Sequence, residues 1–245
     1  HAELPEGMTQ TQATWLWGHH SIPADITLSG TAYWYVYPHT DVNAITNPVW
    51  SDVAAQHIKP GVKIPAVLVL HGCSGLSYGD REYRRYFLNS GYAVFEPNSF
   101  ARPGREPCTE DTLDESYRMR IEELEQALIE IRKLAWVDQE QLFLMGISEG
   151  GAVAAGWSKN EFAGHIILEA SCWAQEGRIP AASLNVTGLA AIGGKDRWGK
   201  CASCNTKTHA RGSNSSVVNG AAHGMSDRPE VGKAVDDFLL TVRAE

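Results

Sequence analysis

From Ile64 to the carboxyl terminus, short apolar runs alternate with segments long enough to form helices. This alternation is typical of βαβ units, in which parallel strands are covered by helices on both faces. The predicted strands are Val67–Leu70, Ala93–Phe95, Gln141–Met145, His165–Leu168, Leu189–Ile192 and Ser216–Val218. The pattern therefore predicts an α/β fold with a mostly parallel sheet.

Two helices can be predicted from their apolar periodicity. The stripe of the first helix has spacings of four and three, and consists of Tyr117, Ile121, Leu124, Leu128 and Ile131. Upstream of it, Thr112 and Glu115 have the spacing of a capping box. The second helix is predicted from about Pro229 to Val242, since proline suits a first helical turn.

The first sixty residues have a different character. Residues 26–37 mix apolar and aromatic side chains with small polar ones, as in a hairpin or an edge strand. We expect residues 1–60 to add such lead-in strands to the same sheet. The chain has no repeat, low-complexity tract or linker, so we predict one domain over residues 1–245.

The charge and the apolar content exclude several classes of function. The chain has 245 residues with 21 Lys and Arg against 29 Asp and Glu, a net charge of −8. This charge disfavours nucleic acid and anionic membranes as partners. No apolar stretch has the roughly 18 residues that a membrane span needs. We expect a monomer that acts on a small molecule.

The sequence Gly146-Ile147-Ser148-Glu149-Gly150 follows a predicted strand and precedes a run of small residues that is suited to a helix. It matches the G-x-S-x-G nucleophile elbow, in which a sharp turn exposes a serine hydroxyl at the carboxyl edge of the sheet. The glycines remove Cβ atoms that would collide in this turn. We predict that Ser148 is a nucleophile.

A serine nucleophile needs a base, and in this arrangement the base follows the serine in the chain. Three histidines come after Ser148, namely His165, His209 and His223. His165 begins an apolar strand and His209 lies in a polar loop. His223 follows the last predicted strand, where a loop would reach the same sheet edge as Ser148. His223 is the predicted base.

The orienting acid should lie between the nucleophile and the base in the sequence. Asp196 follows the strand before His223 and is the predicted acid. Glu169, after the preceding strand, is the alternative, whereas Asp227 resembles a helix cap. The oxyanion would be held by the backbone N–H groups of Glu149 and of Cys73, in the turn after strand Val67–Leu70.

Several local phrases resemble the dienelactone hydrolase family of α/β-hydrolases. They are HGCSGL at 71–76, GYAVFEPNSFAR at 91–102, GISEGG at 146–151, IGGKD at 192–196 and AAHGM at 221–225. The resemblance extends from about residue 64 to the carboxyl terminus. It implies a sheet of about eight strands with helices on both faces, and hydrolysis of carboxylic esters through an acyl-enzyme. We expect neither a cofactor nor a metal.

The chain departs from the family pattern at several positions. The founding enzymes use a cysteine nucleophile and a glutamate where this chain has Ser148 and His71, which indicates a serine-esterase branch. They also bind a substrate carboxylate with two arginines. Arg102 matches the first and is a candidate substrate-binding residue, whereas Asp227 occupies the second position. A dienelactone substrate is therefore disfavoured.

The chain has five cysteines, an odd number. By comparison with secreted-looking relatives, Cys73 would pair with Cys108, and Cys172 with Cys201 or Cys204. The alternative is a zinc site of Cys201, Cys204 and His209, but a structural site needs four ligands and only Cys172 is available as the fourth.

The sequence begins at His1 rather than at Met, and with the cysteines this indicates a secreted or periplasmic protein whose signal peptide has been removed. Aromatic residues in loops at the carboxyl edge, namely Trp173, Trp198 and Tyr78, are candidates for the wall of a cleft.

The leading hypothesis is a serine carboxylesterase that acts on small or aromatic esters. One alternative is a hydrolase of dienelactones, other lactones or another acyl bond. A second alternative is a binding protein on a hydrolase fold with an idle triad.

Overall fold

The computed structural model describes residues 4, 6–36, 57–76, 78–170, 188–193, 214–218 and 224–243. Its central element is an eight-stranded sheet with the strand order β2-β1-β4-β3-β5-β6-β7-β8. The strands are β1 His19–Ile22, β2 Tyr33–Val36, β3 Ile64–Leu70, β4 Ala93–Glu96, β5 Val137–Ile147, β6 Gly164–Leu168, β7 Gly188–Gly193 and β8 Asn214–Val218. Strand β1 is antiparallel to β2 and β4, and the remaining pairs are parallel. The predicted α/β fold with about eight strands is confirmed.

Helices cover both faces of the sheet. They are α1 Gln10–Leu16, α2 Tyr78–Asn89, α3 Leu113–Arg132, α4 Glu149–Gly156 and α5 Pro229–Arg243. Alternate residues of β3 enter different cores because successive side chains of a strand point to opposite faces. Leu68 packs in the core that contains residues of α1, α3 and α4, whereas Val67 packs in the core formed with α2 and α5.

The predicted strands from residue 64 onward are all present in the sheet, with ends that shift by a few residues. The lead-in segment agrees with the prediction in part. Of the described residues 26–36, Tyr33–Val36 form an antiparallel edge strand, whereas Ile26 ends a short 3-10 turn. The partner of β2 is β1, whose sequence His-His-Ser-Ile carries little apolar signal.

Helix α3 buries a charged residue in its apolar stripe. Arg120 is fully buried, between Tyr117 and Leu124 on the same face, whereas Ile121 is only partly buried. The predicted capping box of Thr112 and Glu115 is wrong, because the box is formed one turn earlier by Thr109 and Thr112.

His20 in β1 is buried and has a hydrogen bond at each ring nitrogen. Its Nε2 lies 2.8 Å from the Trp15 carbonyl oxygen, and its Nδ1 accepts from the Glu96 N–H at 3.3 Å. This pattern assigns the proton to Nε2 of a neutral ring. Burial, which penalises the charged imidazolium, lowers the pKa of His20 to about 3.

Among the described helices, none combines the length and the apolar character that crossing a bilayer requires.

Candidate active site

Ser148 is the turn residue between β5 and α4. Its backbone has φ 54° and ψ −114°, outside the regions that L-residues favour. Its N–H donates to the Leu168 carbonyl oxygen of the neighbouring strand at 2.9 Å. A serine in such a conformation at a strand-to-helix turn has the backbone geometry of a nucleophile elbow.

The glycines around Ser148 are required by close backbone contacts. A Cβ atom on Gly146 would lie 2.0 Å from the Gly150 carbonyl oxygen, and one on Gly150 would lie 2.1 Å from that of Leu70. A Cβ atom on Gly151 would lie 2.7 Å from the Ala170 Cβ. The elbow is therefore packed tightly between β3 and β6.

The turn after β3 lies directly against the elbow. A Cβ atom on Gly72 would be 3.4 Å from the Ser148 Cβ. Among the described residues, none accepts a hydrogen bond from the N–H of the next residue, Cys73. Glu149 is the first residue of α4, and the N–H groups of a first helical turn have no partner within the helix. The two predicted oxyanion donors thus lie on segments that flank Ser148.

His71 precedes this turn and is fully buried. Its Nε2 accepts from the Ser99 N–H at 3.0 Å, and its Nδ1 lies 2.7 Å from the Gly72 carbonyl oxygen. Because Nε2 accepts, the proton belongs on Nδ1 of a neutral ring. Burial, and then the nearby Arg120 cation, hold the pKa of His71 well below its usual value. His71 therefore fixes the turn and is not poised to accept a proton.

A disulfide joins Cys73 to Cys108, and their Cα atoms are 5.3 Å apart. The predicted pairing of these two cysteines is thus present. It links the turn after β3 to the loop that precedes α3. The two sulfurs and the Glu149 carboxylate lie within 4.8 Å of one another, but disulfide sulfurs are not thiolate ligands, so this group is not a metal site.

A network of buried ion pairs lies beneath the elbow. Arg105 Nη2 donates to Glu149 Oε1 at 2.9 Å, and Arg120 Nη1 lies 3.5 Å from Glu149 Oε2. Arg120 also pairs through Nε with Glu123 Oε2 at 3.0 Å, and donates to the His71 carbonyl oxygen at 2.9 Å. Both carboxylate oxygens of Glu149, the residue directly after Ser148, thus face buried arginines.

The structure places Arg102 in the same network. Its Nε donates to Glu123 Oε1 at 2.8 Å and its Nη2 to Glu122 Oε2 at 3.1 Å. Its Nη1 donates to Gln10 Oε1 at 3.2 Å. The side chain is only 6% exposed. Every nitrogen of the guanidinium is engaged by the protein, so we do not propose it as a substrate-binding residue.

Glu169, the alternative acid, follows β6 and is buried. It has φ 56°, and with Ser148 it is one of the two non-glycine residues with positive φ in the described part of the chain. Its Oε1 accepts a hydrogen bond from the N–H of Met225, two residues after His223. Glu169 therefore holds the segment that follows the predicted base.

Other predicted site residues lie outside the described residues. They are Asp196, His223, Trp173, Trp198, Cys172, Cys201 and Cys204. Tyr78 begins α2, but its side chain is not described. Strands β7 and β8, which lead to Asp196 and His223, are parallel to β5, so their carboxyl ends point to the same edge as Ser148.

Sequence reasoning missed the ion-pair network. Its one signal was Arg120, which lies three residues after Tyr117 and four before Leu124, in the middle of the apolar stripe. A charge at such a position is expected only where a buried partner exists.

A family model described as the dienelactone hydrolase family matches residues 53–230. No curated protein matches the chain. Similar solved structures include Est1E from Butyrivibrio proteoclasticus, with TM-score 0.56, 15% identity, and 75% of this chain and 90% of that chain covered. Esterase PE8 has TM-score 0.57 and 15% identity over 74% of this chain and 94% of its own. A phospholipase/carboxylesterase from Dyadobacter fermentans DSM 18053 has TM-score 0.54 and 14% identity over 73% of this chain and 90% of its own.

At such identities the structural likeness concerns the fold, whereas the family match covers most of the chain. The chain belongs to the dienelactone hydrolase family.

Proposed function

We propose that this hydrolase is a serine carboxylesterase that acts through an acyl-enzyme. The observation that carries the proposal is Ser148, held at φ 54° on the β5–α4 turn with Gly72 against its Cβ atom. A strained serine between two segments with available N–H groups is the arrangement that acyl transfer requires. Membership of a hydrolase family supports the same reaction class.

In the proposed mechanism, His223 takes the proton of the Ser148 hydroxyl as its oxygen attacks the ester carbonyl. The N–H groups of Cys73 and Glu149 stabilise the oxyanion of the tetrahedral intermediate. Collapse of the intermediate breaks the ester bond, and His223 returns the proton to the leaving alcohol. Water then attacks the acyl-enzyme by the same route, while Asp196 holds the imidazole tautomer.

We propose small or aromatic esters without a carboxylate near the reacting group as substrates. The support is Arg102, whose guanidinium is occupied by Glu123 and Glu122. One structural neighbour, Est1E, has been solved with ferulic acid bound, so a feruloyl ester is a suitable test substrate. Trp173, Trp198 and Tyr78 remain proposed as the aromatic wall of the cleft.

Lactone hydrolysis is the second candidate, because the family as a whole carries that description. We further propose an exported, monomeric, single-domain protein. The Cys73–Cys108 disulfide supports export, since disulfides persist mainly in oxidising compartments.

Labelling with a fluorophosphonate tests the enzyme proposal. We expect the wild-type protein to be modified at Ser148 and the Ser148→Ala variant to remain unmodified. A native wild-type protein that stays unlabelled would refute the nucleophile and favour a binding protein with an idle site.

Turnover of p-nitrophenyl esters of graded acyl length, with one feruloyl ester and one lactone, tests the substrate class. Ser148→Ala and His223→Ala should each lower kcat by on the order of 10⁵-fold, because nucleophile and base act as a unit. A strong preference for long acyl chains would contradict the small or aromatic substrate.

A further inference from the structure

The two proposed oxyanion donors belong to segments that are far apart in the chain. Cys73 follows β3 and Glu149 follows β5, 76 positions later in the sequence. An oxyanion hole works only if both N–H groups are held to within about 0.5 Å of the productive geometry. Something in the fold must therefore fix the two segments relative to each other.

Arg120 contacts both segments with one guanidinium. Its Nη1 donates to the His71 carbonyl oxygen at 2.9 Å, two residues before Cys73. The same nitrogen lies 3.5 Å from Glu149 Oε2. The contact on one side is with backbone, and on the other side it is with the side chain of the oxyanion residue itself.

The surroundings of Arg120 restrict its movement. The residue has no exposed surface, and its Nε pairs with Glu123, whose side chain is also fully buried. Arg102 and Arg105 hold the other oxygens of the two carboxylates. A planar guanidinium with fixed donor directions suits such bridging better than an ammonium group.

Stability alone does not explain why the protein has these buried ion pairs of Arg120. Buried ion pairs bring little net stabilisation relative to apolar residues of similar size, because desolvation offsets the attraction. A cation in an otherwise apolar stripe is better explained by the geometry that it imposes.

We infer that Arg120 is a positioning residue of the oxyanion hole, which sets the separation of the Cys73 and Glu149 N–H groups by joining the His71 carbonyl oxygen to the Glu149 carboxylate. This inference rests on the proposed esterase function. Arg120 does not touch substrate, so its removal should act on the transition state and leave ground-state binding nearly unchanged.

The test compares Arg120→Met and Arg120→Lys with the wild-type protein on a p-nitrophenyl ester, with kcat expressed per site titrated by fluorophosphonate. Titration removes the effect of any misfolded fraction. The lysine variant keeps the buried charge and so protects the fold. The matched control is Arg84→Met, which removes another buried arginine, one that pairs with Glu96 and contacts His19.

We expect both Arg120 variants to lower kcat per titrated site by roughly 10- to 100-fold, with KM within about threefold of wild type. The affinity for a trifluoromethyl ketone, which forms a tetrahedral adduct with an oxyanion, should fall in parallel with kcat/KM. Arg84→Met should change stability and leave both quantities near their wild-type values.

Arg120→Lys with wild-type kcat per titrated site would overturn the inference, and so would a ketone affinity that does not follow kcat/KM. An unlabelled wild-type protein would instead refute the esterase proposal, and the inference would fall with it. The two failures are therefore distinguishable.

Discussion

Glu169 accepts a hydrogen bond from the backbone N–H of Met225, so the residue after β6 holds the segment that follows the predicted base. This contact requires an acceptor oxygen at position 169, which a glutamine side chain would also supply. The predicted acid, Asp196, must instead orient the imidazole of His223 through its charge.

These two tasks predict different sensitivities to amide substitution. Asp196→Asn should lower kcat by about 10⁴-fold through the wrong imidazole tautomer. Glu169→Gln keeps an acceptor for Met225 and should lower kcat by less than about tenfold, whereas Glu169→Leu should destabilise the protein by about 1–3 kcal/mol. Kinetics and urea unfolding of the three variants provide the measurement. If Glu169→Gln is the more damaging amide variant, then Glu169 is the acid.

The packing at Gly150 predicts a large and localised effect of one methyl group. A Cβ atom there would lie 2.1 Å from the Leu70 carbonyl oxygen, in backbone that cannot yield easily. Gly150→Ala should therefore lower the free energy of unfolding by at least about 3 kcal/mol and abolish activity.

Gly232 in α5 is the matched control, since a Cβ atom there would meet no atom of the described residues within 4 Å beyond its own helical backbone. Gly232→Ala should raise stability by about 0.5–1 kcal/mol, because alanine favours the helix. Thermal unfolding of both variants checks the pair, and equal effects would contradict the packing at Gly150.

The disulfide predicts a redox dependence of stability. Its cysteines are separated by 35 positions, and closing a loop of that length stabilises a protein by about 2–4 kcal/mol. A Cys73→Ala and Cys108→Ala double variant should lose that amount in guanidinium unfolding, and kcat should fall because the Cys73 turn is less constrained.

Dithiothreitol supplies the control for this prediction. It should destabilise the wild-type protein more than the double variant, which has already lost the bond. An equal response of the two proteins would mean that a different bond is being reduced.

The buried histidine of β1 predicts a pH dependence with a definite sign. The pKa of His20 is about 3 in the folded protein and about 6.5 in an unfolded chain, so the unfolded state binds more protons between these values. Stability is therefore full above about pH 6.5 and declines as the pH falls, by up to about 1.4 kcal/mol per pH unit.

Urea unfolding between pH 4 and pH 7 measures this dependence. In His20→Gln the slope should be smaller by about that amount, although the variant should be less stable at pH 7 because a buried hydrogen bond is lost. An unchanged slope would show that His20 is charged in the folded state.

The ion pairs of Arg102 predict equal effects on acidic and neutral substrates. Arg102→Ala leaves the buried carboxylate of Glu123 less well paired and should lower the free energy of unfolding by about 3 kcal/mol. Its kcat/KM for a monomethyl dicarboxylate and for the corresponding diester should fall by the same factor. A loss of tenfold or more on the acidic ester alone would mean that Arg102 binds a carboxylate.

The sheet from β3 onward could be predicted because its strands are nearly continuous apolar runs, buried on both faces. Strand β1 could not, because half of it is histidine, and the burial of His20 depends on its contacts with Trp15 and Glu96. The contact with Glu96 joins residues 76 positions apart in the sequence, so no local pattern encodes it.

The elbow at Ser148 was predictable because such a sharp turn needs specific residues at adjacent positions. The support beneath it was not, because Arg105, Arg120 and Glu149 come from three separate segments. The same limit applies to Arg102. The family pattern identified its position, but its ion pairs are with Glu122 and Glu123 of helix α3, which that pattern does not include.

Under the proposed mechanism, the backbone conformation of Ser148 favours activity at the expense of stability. A non-glycine residue in such a conformation costs about 1–3 kcal/mol, and glycine would relieve most of that strain. We therefore expect the Ser148→Gly variant to be inactive and to have a higher free energy of unfolding than the wild-type protein. Selection for heat tolerance alone would favour this loss of function, so a screen for more robust variants must impose catalysis at every round.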